Sequence, residues 1–137
     1  MTKNLKIVLG YFIFPVLIVL IHAFLLFFTE FYRFFPWFDI VMHLVGGFSI
    51  SLAFFFTLVF LQKNNYLRLD SLTRFLFVIA LVSMIIVLWE FFEFLLEYLT
   101  GMNFQGEDIM EDLFFGFFGG LIGAVSFEFF KVYPKSK

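Results

Sequence analysis

Polar residues are rare along this chain, and their spacing divides it into four apolar runs. The first extends from Ile7 to Phe28, interrupted by Gly10, Pro15 and His22. Lys3 and Lys6 before it give the basic start that a signal peptide would also have. A signal's apolar region, however, is usually about 7–15 residues and ends at a small-x-small site, which this stretch lacks. The run is therefore expected to be a retained transmembrane helix, with Pro15 as a kink. Thr29 to Phe38 is a short connection whose Tyr32, Pro36 and Trp37 suit a membrane interface. Asp39 is expected to cap a second helix reaching about Leu61, because its carboxylate can accept free amide hydrogens of the first turn.

The most polar segment, Gln62 to Ser71, reads as a loop. A third helix follows from about Leu72 to Leu99 and stops at Thr100-Gly101, where glycine can take the left-handed conformation that closes a helix. After a turn over Met102 to Glu107, a fourth helix is expected from near Asp108 to about Val132, with Pro134 barring further extension. The expected spans, 7–28, 39–61, 74–99 and 108–132, each have at least 22 residues. That is roughly 33 Å of helix, enough to cross a bilayer. The pattern predicts an all-α integral membrane protein, one domain over 1–137, with four antiparallel transmembrane helices.

Composition supports that class. The chain has 137 residues, 63% of them hydrophobic, with 27 Phe, whereas soluble domains are about 45–50% apolar. Cysteine is absent, which removes disulfides, thiolate ligands and cysteine nucleophiles from consideration. No basic patch, stacking module or zinc spacing points to nucleic acid. The net charge of −2 says little, but its distribution says more. Lys3, Lys6, Lys63, Arg68, Arg74, Lys131, Lys135 and Lys137 fall on one side of the predicted topology, and only Arg33 on the other. The positive-inside rule then makes both termini and the middle loop cytoplasmic, in a cell (inner) membrane.

Nine of the eleven acidic residues lie on the opposite, outer side. Glu90, Glu93 and Glu97 stand at i, i+3 and i+7, on one face of the third helix. Asp39 with His43, and Asp108 with Asp112, are i, i+4 pairs one turn apart. By rise per residue, His43 and Asp112 lie about 6 Å below the outer helix starts, and Glu97, Glu93 and Glu90 about 4, 10 and 15 Å below theirs. His22 is also in the outer half. An ionised side chain near the bilayer centre costs roughly 2.5–3.5 kcal/mol, so such a convergence calls for a cause. Gly46, Gly47, Gly116, Gly119, Gly120, Gly123 and Ala124 supply small-xxx-small packing that would bring these helices close.

Asp39-x-x-x-His43-x-x-Gly46, Trp89-Glu90, and Gln105-Gly106-Glu107 followed by Asp108-x-x-x-Asp112 and a glycine-rich run resemble the YjdF-type small bacterial inner-membrane proteins. The order is also similar to that of the VanZ-like family. Phe91-Phe92 after the mid-chain Glu, and Gly116 one turn after Asp112, depart from the VanZ-like pattern and favour the YjdF-type. The resemblance covers roughly Asp39 to Ala124. It implies a polytopic membrane protein with a polar intramembrane cluster, and through the VanZ-like relatives an association with glycopeptide resistance at the cell envelope.

Several chemistries fit the residues. The acids can be protonated and hydrogen-bonded to one another, since burial and like charge both favour the neutral carboxyl; Glu97, Glu107 and Glu111 can also face headgroup water. A divalent metal ion would relieve the repulsion directly. Asp39, His43, Glu90, Asp108 and Asp112 are the expected ligands, with Glu93 next; imidazole would favour Zn²⁺, Mn²⁺ or Fe²⁺, and carboxylates alone Mg²⁺ or Ca²⁺. As an enzyme the protein would act on an envelope lipid or lipid-linked substrate through metal-activated water, or through Glu90 or His43 as general base. The alternatives are a small proton or cation transporter and a non-enzymatic envelope factor. A homo-oligomer is compatible with each.

Overall fold

The computed structural model describes residues 3–101 and 109–129, and every regular element among them is helical. The elements are α1 (Lys3–Tyr11), α2 (Ile13–Phe28), α3 (Phe31–Phe34), α4 (Trp37–Lys63), α5 (Ser71–Thr100) and α6 (Ile109–Phe129). Three of them, α4, α5 and α6, are long and apolar enough to cross a membrane. A fourth candidate is the α1–α2 pair, which is bent by 42°. The bend is sharper than an ordinary proline kink and centres on Phe12, three residues before Pro15. Pro15 has no N–H to offer the carbonyl of Tyr11, and its ring crowds that carbonyl, so the helix breaks one turn earlier. Phe12 instead donates to Leu9 at 3.1 Å, and the new helix resumes with Val16 donating to Phe12.

Two helix starts differ in detail from the expectation. α4 begins at Trp37 with Pro36 as its cap residue, so Asp39 sits in the first turn and does not cap it. Proline's fixed φ suits a helix start and its missing N–H is no loss there. Asp70 caps α5, accepting from the backbone N–H of Thr73 at 2.9 Å. At the other end Gly101 takes φ +67 and donates to the carbonyl of Glu97, closing the helix. Asp108, the expected start of the last helix, lies outside the described residues, as do Gln105, Gly106 and Glu107.

The closest pair in the bundle is α4 with α6. A β-carbon on Gly47 would overlap the carbonyl oxygen of Gly116, and one on Gly119 would overlap the carbonyl oxygen of Leu44. Glycine thus lets the two backbones touch, which replaces the hydrophobic drive missing between helices in lipid. α5 closes over this pair, with Val82 filling the space above Gly120 and Ile86 that above Gly116. Phe55, Val78, Val82 and Ala124 are fully enclosed. α1 and α2 lie along α4, where Tyr11 meets Phe56 and Phe12 meets Phe54. Gly46 is different from its neighbour: nothing stands within 4 Å of where its β-carbon would be.

At the α4–α5 loop end, Arg74 is buried and makes a two-pronged ion pair with Glu128 of α6, Nε to Oε2 at 2.8 Å and Nη2 to Oε1 at 2.5 Å. Its Nη1 donates to Gln62, and Gln62 donates in turn to the carbonyl of Leu69. Arg74, counted from the sequence among the basic residues on the loop side, is thus part of a packed polar joint among α4, α5 and α6.

Candidate metal centre

Four long helices and α3 send polar side chains to the opposite end of the bundle. α2 contributes His22, α3 Tyr32, α4 Asp39 and His43, α5 Glu90 and Glu93, and α6 Asp112. The i, i+4 spacing sets Asp39 and His43 one turn apart on one face of α4. The glycine contacts of α4 with α6 carry Asp112 to the same place. His22, His43 and Glu90 are buried, and Asp39 is the most open of the group, with 36% of its side chain exposed.

The two imidazoles are arranged alike. His43 Nε2 lies 3.7 Å from Asp39 Oδ1 and 3.7 Å from Asp112 Oδ1. His22 Nδ1 lies 3.6 Å from the same Asp39 oxygen. The far nitrogen of each ring faces a glutamate of α5: His22 Nε2 to Glu93 Oε1 at 2.9 Å, and His43 Nδ1 to Glu90 Oε1 at 3.3 Å. The rings meet edge to face with centroids 5.6 Å apart. Each histidine therefore presents one nitrogen toward Asp39; on the other side Glu93 hydrogen-bonds His22, while Glu90 Oε1 lies near His43 without a hydrogen bond.

Both ring nitrogens of His22 are hydrogen-bonded. An ionised carboxylate only accepts, so Nε2 donates to Glu93 and Nδ1 accepts from the Tyr32 hydroxyl, 2.8 Å away. Tyr32 is held well above the usual phenol range, first by burial and then by the charges of Asp39, Glu93 and Asp112. It remains a donor at neutral pH.

Separations of 3.6–3.7 Å between Asp39 Oδ1 and the two facing nitrogens are too long for hydrogen bonds. They are close to the spacing of donors around a tetrahedral ion: with bonds of about 2.1 Å, such donors stand about 3.4 Å apart. His22, Asp39 and His43 each offer a ligand atom within 4.8 Å of the others, and so do His43, Glu90 and Glu93. A metal-bound imidazole uses one nitrogen and donates from the other, so His43 can serve one of these groupings and not both. The first has two imidazoles and the nearby Asp112. In the second, Glu93 is already committed to His22.

The expected ligands Asp39, His43 and Asp112 are thus brought together. Glu90 and Glu93, also expected as ligands, stand beside His43 and His22 and form the second grouping with His43. Glu97 and Glu111 are half-buried farther toward the bundle end, and Glu30 pairs with exposed Arg33 at 2.9 Å. His22 and Tyr32 are the additions. His22 had only its depth to recommend it, and Tyr32 read as an interfacial aromatic.

Buried histidines and carboxylates thus gather among helices of membrane-spanning length, in a multi-pass helical membrane protein. The chain belongs to the family described as predicted membrane protein (DUF2238), which matches residues 4–132. No curated protein and no solved structure matches. The family match carries the membrane class; the YjdF- and VanZ-type resemblance gains no support from it.

Proposed function

We propose that the protein binds one divalent transition-metal ion, with Asp39, His43 and Asp112 as ligands. His22 joins them when the Tyr32 hydroxyl yields its place on Nδ1. Glu93 and Glu90 hold the two rings in register, as carboxylates behind metal-bound histidines commonly do. The observation that carries the reading is the pair of imidazoles facing one Asp39 oxygen at 3.6 and 3.7 Å, each with a glutamate on its other nitrogen. Two imidazoles with carboxylates suit Zn²⁺, Mn²⁺ or Fe²⁺ better than Mg²⁺ or Ca²⁺. The ion would supply activated water for hydrolysis of an envelope lipid or lipid-linked substrate. In this scheme Glu90 and His43 orient and bind the ion, and neither is a free general base.

Transport is the weaker reading. Between this cluster and the opposite end lie enclosed Phe55, Val78 and Val82, and the buried charges at that end, among the described residues, are Arg74 and Glu128, paired with each other. The proposed orientation follows from Lys3, Lys6, Lys63, Arg68, Lys131, Lys135 and Lys137, even with Arg74 set aside. It places the termini in the cytoplasm, the bent α1–α2 pair as the first of four spans, and the metal site in the outer half of an inner membrane. A periplasm-active reporter fused at Asn65 should be silent; activity there would reverse the orientation.

Metal content of the purified full-length protein, measured after exposure to Zn²⁺ and Mn²⁺ in turn, tests the ion directly. About one ion per chain is expected in the wild type, and loss of it in Asp39→Asn and Asp112→Asn. Protons compete for the same ligands, so occupancy should fall as pH is lowered. A wild type that takes up neither metal sinks the proposal.

A further inference from the structure

Directly below the histidines, a partly open apolar crevice runs toward the middle of the bundle. His22 and His43 form its upper wall, Ile18 and Val19 one side, and Ile50 and Ile86 the deeper part. α2 packs on α4, while α5 packs on α4 and α6. The crevice is lined from both α2 and α5, with Trp89 of α5 against His22 at its upper end, and Val19 on its α2 side is 38% exposed. Gly46 lines it as well. Gly47 and Gly119 are explained by backbone contact and Gly116, Gly120 and Gly123 by close side chains, whereas a side chain at Gly46, as at Gly10 in the amino-terminal arm, would meet nothing within 4 Å. Glycine inside a helix costs about 1 kcal/mol relative to alanine, and here no close contact offsets that cost. What its absent side chain leaves is room in the crevice.

We infer that this crevice receives the acyl chain of a membrane phospholipid whose headgroup lies at the His22–His43 cluster. At this depth the surrounding medium is hydrocarbon, so an apolar slot partly open to it is filled by chains and not by water. The two histidines belong both to the slot and to the polar cluster, which places the boundary between chain and headgroup at the rings. The inference names the substrate class for the metal site proposed above and rests on that reading for its catalytic meaning. The chain-binding claim itself is independent of the ion.

The test uses full-length protein in phosphatidylcholine nanodiscs doped with a phosphatidylcholine carrying a diazirine on its acyl chain. After irradiation, adducts are mapped by peptide mass spectrometry. Adducts are expected at Ile50 and Ile86, beside those at the lipid-exposed Leu88 and Phe91. In Gly46→Leu, whose side chain fills the slot, the two inner adducts should fall about tenfold, the loss expected from displacing about two methylenes. Leu88 and Phe91 should be unchanged. Gly46→Ala, which adds one methyl in open space, gives a smaller fall and secures the test should the leucine variant not fold. Inner adducts that are absent, or equal in wild type and both variants, overturn the inference. So does labelling of the slot by a diazirine-bearing polyprenyl phosphate alone. Asp112→Asn should lose metal and keep the inner adducts, and Gly46→Leu should do the reverse. A failure of the metal site and a failure of the chain site are therefore read separately.

Discussion

At the level of single residues, the two histidines are set apart by what stands behind them. Glu93 touches His22 at 2.9 Å, and on the proposed reading it braces the ring and does not bind the ion, so Glu93→Gln keeps the proposed ligands and loses the bracing charge. Metal affinity is expected to fall 10–100-fold, less than on losing a ligand. Tyr32→Phe should do the opposite, because it frees His22 Nδ1 from a competing hydroxyl: affinity is expected to rise, as read by competition with a chelator of known strength. A fall in Tyr32→Phe would make the tyrosine a ligand or its positioner. Asp39, His43 and Asp112 were legible from helical spacing together with topology. His22 was not, because a single histidine in an apolar run has no patterned partner, and Glu93 lies 71 residues away. The division between ligands and braces was beyond reach too, since it depends on which ring nitrogen faces which helix.

Among elements, the α4–α6 contact sets how far apart Asp39, His43 and Asp112 stand. Gly47→Ala would drive a methyl into the Gly116 carbonyl, and the helices would have to separate. A loss of about 1–3 kcal/mol is expected from such overpacking, measured as a shift in denaturation midpoint in detergent. Gly46→Ala, one residue away, should instead be neutral or stabilising by up to about 1 kcal/mol, since it restores helix propensity without overlap. Equal effects of the two would mean that the backbones do not touch. The small-xxx-small pattern announced this packing. It did not distinguish Gly46 from Gly47, because adjacent positions on a helix point about 100° apart and the pattern leaves open which of them meets the partner.

For the molecule as a whole, the two ends of the bundle are built on opposite principles. One gathers carboxylates around histidines; the other pairs Arg74 with Glu128 across 54 residues of sequence, a link that periodicity within either helix could not reveal. Leaving Arg74 buried beside a neutral partner in Glu128→Gln should cost about 3–5 kcal/mol. The double replacement Arg74→Met with Glu128→Leu should cost less than either single change, by the same denaturation assay. A milder single than double would show that the pair is solvated in the native state. The three spanning helices α4, α5 and α6 were plain from composition and spacing, and the break at Phe12 was foreshadowed only as a kink. That break has a mechanical consequence. In an unbroken helix, each residue inserted ahead of His22 would turn what precedes it by about 100° relative to the imidazole. With α1 and α2 joined at a 42° corner, a change of length before Phe12 is taken up at the corner. The aim of His22 is decoupled from whatever is attached to, or altered in, the amino-terminal arm.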